Sequence, residues 1–421
     1  MNNLSLAVHF FAQIAVILLC CRLVGLVASR LGQPQVVAEM ITGVLLGPSF
    51  FGLLAPEIQE WIFPWDRTQQ TRDTQSYLFP ASQLGLALYM FVVGMEFRVD
   101  IVGKTLKSSI AVSLAGIFFP FLLGALLSWL FWHYTSLFPA GTSMVEAALF
   151  LGASMCITAF PMLARIIHYK GLAGTAMGTI AIGAGALDDA FAWGLLAVVL
   201  ASFDENWMLA VRGIGGAALY AACALGLVRP LLRRYQRLLV AEGNVTESGL
   251  VVALALMSLG AWFTDSIGLH AVFGAFMMGA AMPRGVITRG LISRIEPLAV
   301  ALLLPLFFTY SGLNTKIGLL NSPLLWLMAL AVLLVAAVGK GLGCWFAAYS
   351  TGLSNRDAMG IGLLMNARGL MELIIINIGL QRGIISEELF AMLVIMAIIT
   401  TLMASPLFER TCRGQGVLKE S

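Results

Sequence analysis

Two adjacent aspartates, Asp188 and Asp189, stand in the middle of a long apolar stretch, in the sequence Gly-Ala-Gly-Ala-Leu-Asp-Asp-Ala-Phe. A charge at the centre of a membrane costs at least about 2.5–3.5 kcal/mol on insertion scales, so carboxylates at that depth indicate a functional site. Consecutive residues of a helix are about 100° apart, and the two carboxylates therefore face different neighbours. The pair predicts one aspartate with a structural partner and a second that faces water.

Lys340 is the predicted counter-ion for one of these aspartates. It lies near the middle of another apolar stretch, and Gly339, Gly341 and Gly343 flank it. Small residues at such positions let a neighbouring helix approach closely. The glycine pattern is not a nucleotide-binding loop, because it lacks the four-residue spacer and the Ser or Thr of that motif and no strand precedes it.

Two further apolar stretches contain helix-breaking or polar residues at a corresponding depth. In the first, Thr158 precedes Pro161, which removes one backbone donor and frees the carbonyl of Ile157. In the second, the run Asn366-Ala-Arg-Gly369 interrupts the apolar sequence. Two interrupted helices in corresponding halves of a membrane protein indicate a transporter binding site.

Arg368 and Glu372 add a second pair of opposite charges to this region. Their i, i+4 spacing puts both side chains on one helix face, where they can pair or balance the ends of the half-helices.

The composition excludes most soluble classes of protein. Of the 421 residues, 59% are hydrophobic and 11% are charged, against about 25% charged in a soluble domain. A soluble enzyme, a nucleic-acid-binding protein and a disordered scaffold are therefore excluded. The six cysteines have neither metal-ligand spacing nor disulfide density, and we predict no cofactor. An intramembrane aspartyl protease is disfavoured, because adjacent aspartates on one helix cannot converge on one water molecule.

Apolar runs of about 20 residues predict an all-α polytopic membrane protein with about 13 transmembrane helices. The predicted spans are 5–29, 35–53, 81–99, 106–133, 144–168, 175–203, 207–235, 246–264, 268–283, 291–311, 322–350, 355–381 and 387–408.

The distribution of basic residues predicts the orientation. Of the 25 Lys and Arg residues, 17 lie on the side reached after odd-numbered spans, five lie on the other side and three lie inside spans. The side richer in Lys and Arg is cytoplasmic, so we expect the N-terminus outside and the C-terminus inside. Merging the eighth and ninth spans would move Arg284 to Arg294 to the wrong side.

A weak internal repeat supports the same architecture. Leu31-Gly32, Val36 and Gly43 recur 236 residues later as Ile267-Gly268, Val272 and Gly279. This pairs the second span with the ninth, and an odd shift means that the copies cross the membrane in opposite directions. The pattern predicts an inverted repeat, as in many secondary transporters.

Taken together, these motifs resemble the monovalent cation:proton antiporter superfamily, particularly its second branch of bacterial sodium/proton and potassium/proton exchangers. The resemblance covers essentially the whole chain. It rests on Gln33-Pro34 through Gly47-Pro48, Ile157 through Arg165, Leu187 through Ala190, Gly339-Lys340-Gly341 and Asn366 through Leu373.

The resemblance implies an inner (plasma) membrane antiporter, not an enzyme, that usually works as a homodimer. It implies a scaffold and dimerisation domain (1–99 and 246–311), an ion-translocating core (106–203 and 322–408) with crossing broken helices, and a linking helix (207–235). On matching positions, Asp189 binds the cation or proton, Asp188 assists or pairs with Lys340, and Thr158 helps to coordinate.

The expected cargo is Na+ or K+ in exchange for H+, and the sequence leaves the choice of cation open. The paired aspartates resemble sodium/proton members, whereas the stretches at Thr158 and Asn366 are closer to branches often assigned potassium. A cation channel that uses the same polar pathway is the alternative function.

Overall fold

The protein is almost entirely helical in a computed structural model that describes residues 3–30, 33, 35–63, 78–96, 105–172, 175–203, 207–241, 244–267 and 271–412. Within these ranges one antiparallel ribbon pairs Val240–Ala241 with Asn244–Val245. Helices suit an apolar chain, since a helix satisfies its backbone polar groups internally.

Twenty α-helices follow one another along the described residues. In chain order they are α1 Asn3–Arg30, α2 Gln35–Leu46, α3 Phe51–Leu54, α4 Pro56–Ile62, α5 Leu78–Glu96, α6 Leu106–Tyr134, α7 Met144–Cys156, α8 Phe160–Tyr169, α9 Ala176–Phe203, α10 Trp207–Cys223, α11 Arg229–Arg234, α12 Gln236–Leu239, α13 Glu247–Ser266, α14 Ala271–Ala281, α15 Val286–Leu298, α16 Leu304–Leu313, α17 Pro323–Ser350, α18 Asn355–Leu364, α19 Leu370–Gln381 and α20 Glu387–Cys412. Short π-helical stretches, Ala224–Val228 and Ala299–Leu303, join α10 to α11 and α15 to α16.

Nine helical segments of the described ranges are long and apolar enough to cross a membrane, and four shorter apolar helices accompany them. The chain is thus a multi-pass helical membrane protein. The eighth and ninth predicted spans form two separate helices, α13 and α14. The total of thirteen crossings, the orientation and the inverted repeat remain predictions.

The second predicted span, 35–53, is not one continuous helix. Helix α2 ends at Leu46, and the short helix α3 begins only at Phe51. The reason is Pro48, since a proline disfavours helical geometry at the residue before it, here Gly47.

The chain divides into two compact units. The first comprises Met1–Cys21, Glu57–Phe97 and Leu200–Tyr310. The second comprises Arg22–Pro56, Arg98–Val199 and Ser311–Ser421, and contains the residues singled out in the sequence.

The predicted scaffold, core and linking helix remain predictions, and the compact units depart from their ranges chiefly in two segments. Residues 22–56, predicted in the scaffold, cluster with the second unit, where the side-chain amide of Gln33 donates to the Leu402 carbonyl of α20 (3.2 Å). Residues 207–235, predicted as a separate linking helix, cluster with the first unit.

Both predicted helix interruptions are present in the second unit. Helix α7 ends at Cys156 and α8 begins at Phe160, while α18 ends at Leu364 and α19 begins at Leu370. The first half of each broken helix starts at a serine cap. The Ser143 hydroxyl accepts from the Glu146 amide at α7, and the Ser354 hydroxyl accepts from the Asp357 amide at α18.

Candidate functional site

The carboxylate of Asp188 lies buried in α9 and has a partner for each oxygen. Its side chain is 1% exposed. The Ser113 hydroxyl of α6 donates to Oδ1 at 2.7 Å, and the Thr158 hydroxyl of the first interruption donates to Oδ2 at 2.6 Å. Lys340 Nζ of α17 lies 3.2 Å from Oδ2. Asp188 therefore joins four separate segments of the second unit.

The ammonium of Lys340 is fully buried and uses all three of its protons. Besides Asp188, it donates to the Gly116 carbonyl at 3.1 Å and to the Cys156 carbonyl at the end of α7. The Gly116 carbonyl is available because Pro120, four residues later inside α6, has no N–H to bond with it.

Glycines next to Lys340 permit the close packing of α17 on α6. A Cβ atom added at Gly339 would lie 2.9 Å from Leu123 Cδ1 and 3.3 Å from Pro120 Cα, and one added at Gly343 would lie 3.0 Å from the Ala115 carbonyl oxygen. A side chain at either position would push α17 away from α6. Glycine at both positions thus keeps α17 close to α6 beside the contact of Lys340 with Gly116.

Arg368 occupies the other side of the end of α7. Its guanidinium, 0% exposed, donates to the carbonyls of Met155 (2.7 Å) and Ser154 (3.2 Å), and to Glu372 Oε1 (3.0 Å). The last carbonyls of a helix have no intrahelical partner and carry partial negative charge. Arg368 and Lys340 together therefore neutralise the carboxyl-terminal end of α7.

The two interruptions cross at the level of these carbonyls. The amide of Ala159 donates to the Ala367 carbonyl at 3.1 Å, and Met365 O lies 3.4 Å from the Thr158 hydroxyl. A Cβ atom at Gly369 would lie 3.1 Å from Ala159 Cβ, so glycine allows this approach. The backbone around Arg368 is fixed by α20, since the Thr401 hydroxyl accepts from its amide and lies 3.0 Å from its carbonyl.

The remaining predicted residues occupy the same region. Ile157 is buried in extended backbone at the end of α7. Pro161 is the second residue of α8, where a missing N–H costs nothing, and its side chain lies outside the described part of the chain. Asn366 is 7% exposed and donates to the Gly362 carbonyl at 3.2 Å.

Asp189 follows Asp188 in α9, but its side chain lies outside the described part of the chain. Its backbone position puts it about 100° around the helix from a carboxylate whose oxygens both have partners.

Sequence reasoning missed the contribution of α6. Ser113, Gly116 and Pro120 all lie in this helix, and the first two contact the ion pair directly. The proline inside a predicted span was the available signal, because it frees the carbonyl four residues earlier. Which partner that carbonyl takes depends on how α6 and α17 pack.

Comparisons with known proteins identify the family of this chain. A family profile described as "Sodium/hydrogen exchanger, transmembrane" matches residues 15–413. The Na(+)/H(+) antiporter NhaS4 of Synechocystis sp. is 40% identical over 403 residues, covering 94% of this chain and 95% of the relative. The Na(+)/H(+)-K(+) antiporter GerN of Bacillus cereus is 29% identical, covering 96% of both chains.

A solved structure shows a similar fold. An electron-microscopy map of the sodium proton antiporter MjNhaP1 of Methanocaldococcus jannaschii matches all of both chains with a TM-score of 0.70 at 16% identity. The family profile and the Synechocystis relative both match nearly the whole chain. This multi-pass membrane protein therefore belongs to the sodium/hydrogen exchanger family of cation:proton antiporters, whose members are transporters.

Proposed function

We propose that the protein is a secondary active antiporter that exchanges a monovalent cation, Na+ or K+, for protons, and that the cargo competes with protons for Asp189. The observation that carries the proposal is the charge balance at the crossing. Asp188 pairs with Lys340 and Arg368 pairs with Glu372, all four side chains being 0–1% exposed. An ionised Asp189 would add a negative charge to a balanced set, and a charge at membrane depth without a counter-charge is costly.

A bound proton or a bound cation removes that cost, and one carboxylate cannot hold both. If only the neutral site can pass the low-dielectric barrier, the core moves when it carries a proton or a cation and stays when it is empty. Exchange then follows from alternating access. Thr158, whose hydroxyl reaches Asp188, and the neighbouring backbone carbonyls supply oxygen atoms of the type that Na+ and K+ coordinate.

Two other parts of the architecture belong to the proposal. We infer thirteen crossings in an inverted repeat, with the N-terminus outside, and a homodimer held by the scaffold domain.

The relatives leave the choice of cation open, since one is named for sodium and the other for sodium and potassium. Parallel flux measurements with Na+, K+ and Li+ in liposomes distinguish these cargoes.

Asp189→Asn in proteoliposomes tests the assignment directly. Asparagine keeps the shape of the side chain but cannot be ionised, so we expect cation-driven proton flux to fall to background. Glu247→Gln, an exposed carboxylate in the first turn of α13, is the control and should retain wild-type flux. Retained flux in Asp189→Asn would overturn the assignment.

Lys340→Ala should change the pH dependence of exchange, because it removes the cation that pairs with Asp188. An unchanged pH profile would contradict this pairing role.

A cation channel is the second candidate, because the same buried carboxylates could line a conduction path. An antiporter can use one ion gradient to drive another ion uphill, whereas a channel only dissipates a gradient. We expect an imposed proton gradient to drive the cation against its own gradient in vesicles. Cation movement that only ever runs downhill would favour the channel.

A further inference from the structure

A cavity of about 410 Å³ lies between α17, α18 and α20, all within the second unit. Its volume is within the range of small-molecule sites, about 300–1,000 Å³. None of the residues that line it carries a charge, and neither Asp188 nor Lys340 is among them. The cavity is therefore separate from the ion pairs of the crossing.

The outer edge of the cavity is formed by apolar side chains on the surface of the described chain. Val338 and Leu342 of α17 are 48% and 57% exposed, and Met359 of α18 is 39% exposed. Helix α17 is a candidate membrane span with a mean hydropathy of 2.2. The cavity thus opens towards the lipid, and a molecule already dissolved in the bilayer reaches it without crossing water.

Asn366 lines this apolar cavity and carries one unpaired polar atom. Its side-chain nitrogen donates to the Gly362 carbonyl, and this contact fixes the amide, because the oxygen cannot donate to a carbonyl. The remaining atom, Oδ1, is buried without a hydrogen-bond partner among the described residues. Buried side-chain acceptors of this kind almost always have a partner.

The two other polar side chains of the lining do not supply that partner. The indole N–H of Trp345 donates to Asn355 Oδ1 at 2.9 Å. The hydroxyl of Thr400 is buried and donates to the Met396 carbonyl in its own helix. A lone water is also a poor fit, since a buried water needs two to four polar partners. A ligand that matches this cavity has an apolar body and one hydrogen-bond donor.

We propose that this cavity binds an uncharged single-chain amphiphile from the membrane, whose hydroxyl donates to Asn366 Oδ1 and whose alkyl chain fills the apolar space. A phospholipid headgroup does not match, because the lining offers no charge to its phosphate. An acyl chain alone would fill the space but leave Oδ1 unpaired. The hydroxyl therefore distinguishes this ligand from bulk lipid.

Photolabelling of the full chain in phosphatidylcholine vesicles tests the proposal. The probe is a long-chain alcohol, dodecanol, carrying a photoreactive diazirine, and labelled peptides are identified by mass spectrometry. We expect labelling on α17, α18 and α20. Excess unlabelled dodecanol should abolish it, whereas excess dodecane should compete about fivefold less well, the ratio expected for one net hydrogen bond.

Two variants separate the apolar and the polar contributions. Ala337→Phe fills the cavity and should reduce labelling at least about fivefold, while Ala331→Phe, at a similarly half-buried position of α17 outside the cavity, should not. Asn366→Leu should remove the preference for dodecanol over dodecane.

Either of two results would overturn the proposal. Equal competition by dodecane and dodecanol in the wild type would assign the cavity to lipid acyl chains. Unchanged labelling in Ala337→Phe, in protein that elutes as wild type on size exclusion, would place the probe elsewhere. Neither result depends on transport, so both are independent of the exchange activity proposed above.

Discussion

The two buried ion pairs of the second unit differ in how far apart their members are along the chain. Asp188 and Lys340 are 152 residues apart and come from α9 and α17. Arg368, in the second interruption, is only four residues before Glu372 of α19. Both cations also bind carbonyls at the end of α7. The two pairs therefore share one structural task, the neutralisation of that helix end.

The difference lies in how completely each pair is satisfied. Both oxygens of Asp188 have hydrogen-bond donors, and all three protons of Lys340 are used. In the second pair, Glu372 Oε2 and Arg368 Nε are buried without partners among the described residues. The first pair is a complete network, and in our proposal the cargo therefore binds at Asp189. In the second pair, Arg368 also donates to the Ser154 and Met155 carbonyls of α7.

Arg368→Met should have the largest effect on stability. It leaves the buried carboxylate of Glu372 and the carbonyls of α7 without their cation, and breaking a buried pair in this way costs about 3–5 kcal/mol. Chemical denaturation in detergent micelles measures the free energy of unfolding. Arg294→Met, at an exposed position of α15, is the control and should change it by less than about 0.5 kcal/mol.

The double variant Arg368→Met/Glu372→Met sharpens this interpretation. Replacing both members of a buried pair by apolar residues avoids an isolated charge, so the double variant should be more stable than Arg368→Met alone. It should remain less stable than the wild type, because the Ser154 and Met155 carbonyls stay unpaired. A double variant as unstable as the single one would show that the Glu372 charge contributes little.

Thr158→Val and Ser113→Ala compare the two hydroxyls on Asp188. Each removes one hydrogen bond to a charged group, worth about 1.5–3 kcal/mol, so both should lower the stability by similar amounts. Only Thr158 lies in the interruption that we propose to hold the cargo. We therefore expect a raised KM for the cation in Thr158→Val alone, and equal KM values in the two variants would contradict the coordinating role.

Glu409→Gln should have the smallest effect. Glu409, 56% exposed, pairs with Lys170 between the end of α20 and the end of α8. Ion pairs with an exposed member contribute about 0–1 kcal/mol and are screened by salt. The same denaturation measurement at low and high ionic strength tests this prediction. A decrease of more than about 2 kcal/mol in the free energy of unfolding would show that this contact contributes as much as a buried ion pair.

Much of the site was predictable from local sequence. Thr158 with Pro161, and Asn366 with Gly369, marked both interruptions, because proline, glycine and polar groups break an apolar helix wherever it packs. The Arg368–Glu372 contact is present, but Arg368 lies in the interruption before α19, so it does not arise from two positions on one helix face. The interruption after Leu46 was missed, although Gly47-Pro48 carries the same local signal.

By itself, the sequence determined that the chain enters a membrane, where its helices break and which charges must be compensated, since these depend on composition and on neighbours a few residues away. Only the tertiary structure decided which aspartate meets Lys340, that the carbonyl freed by Pro120 binds that lysine, and that two cations meet at the end of α7. Those contacts join residues far apart in the chain. They depend on how neighbouring helices pack, which spacing along one helix does not specify.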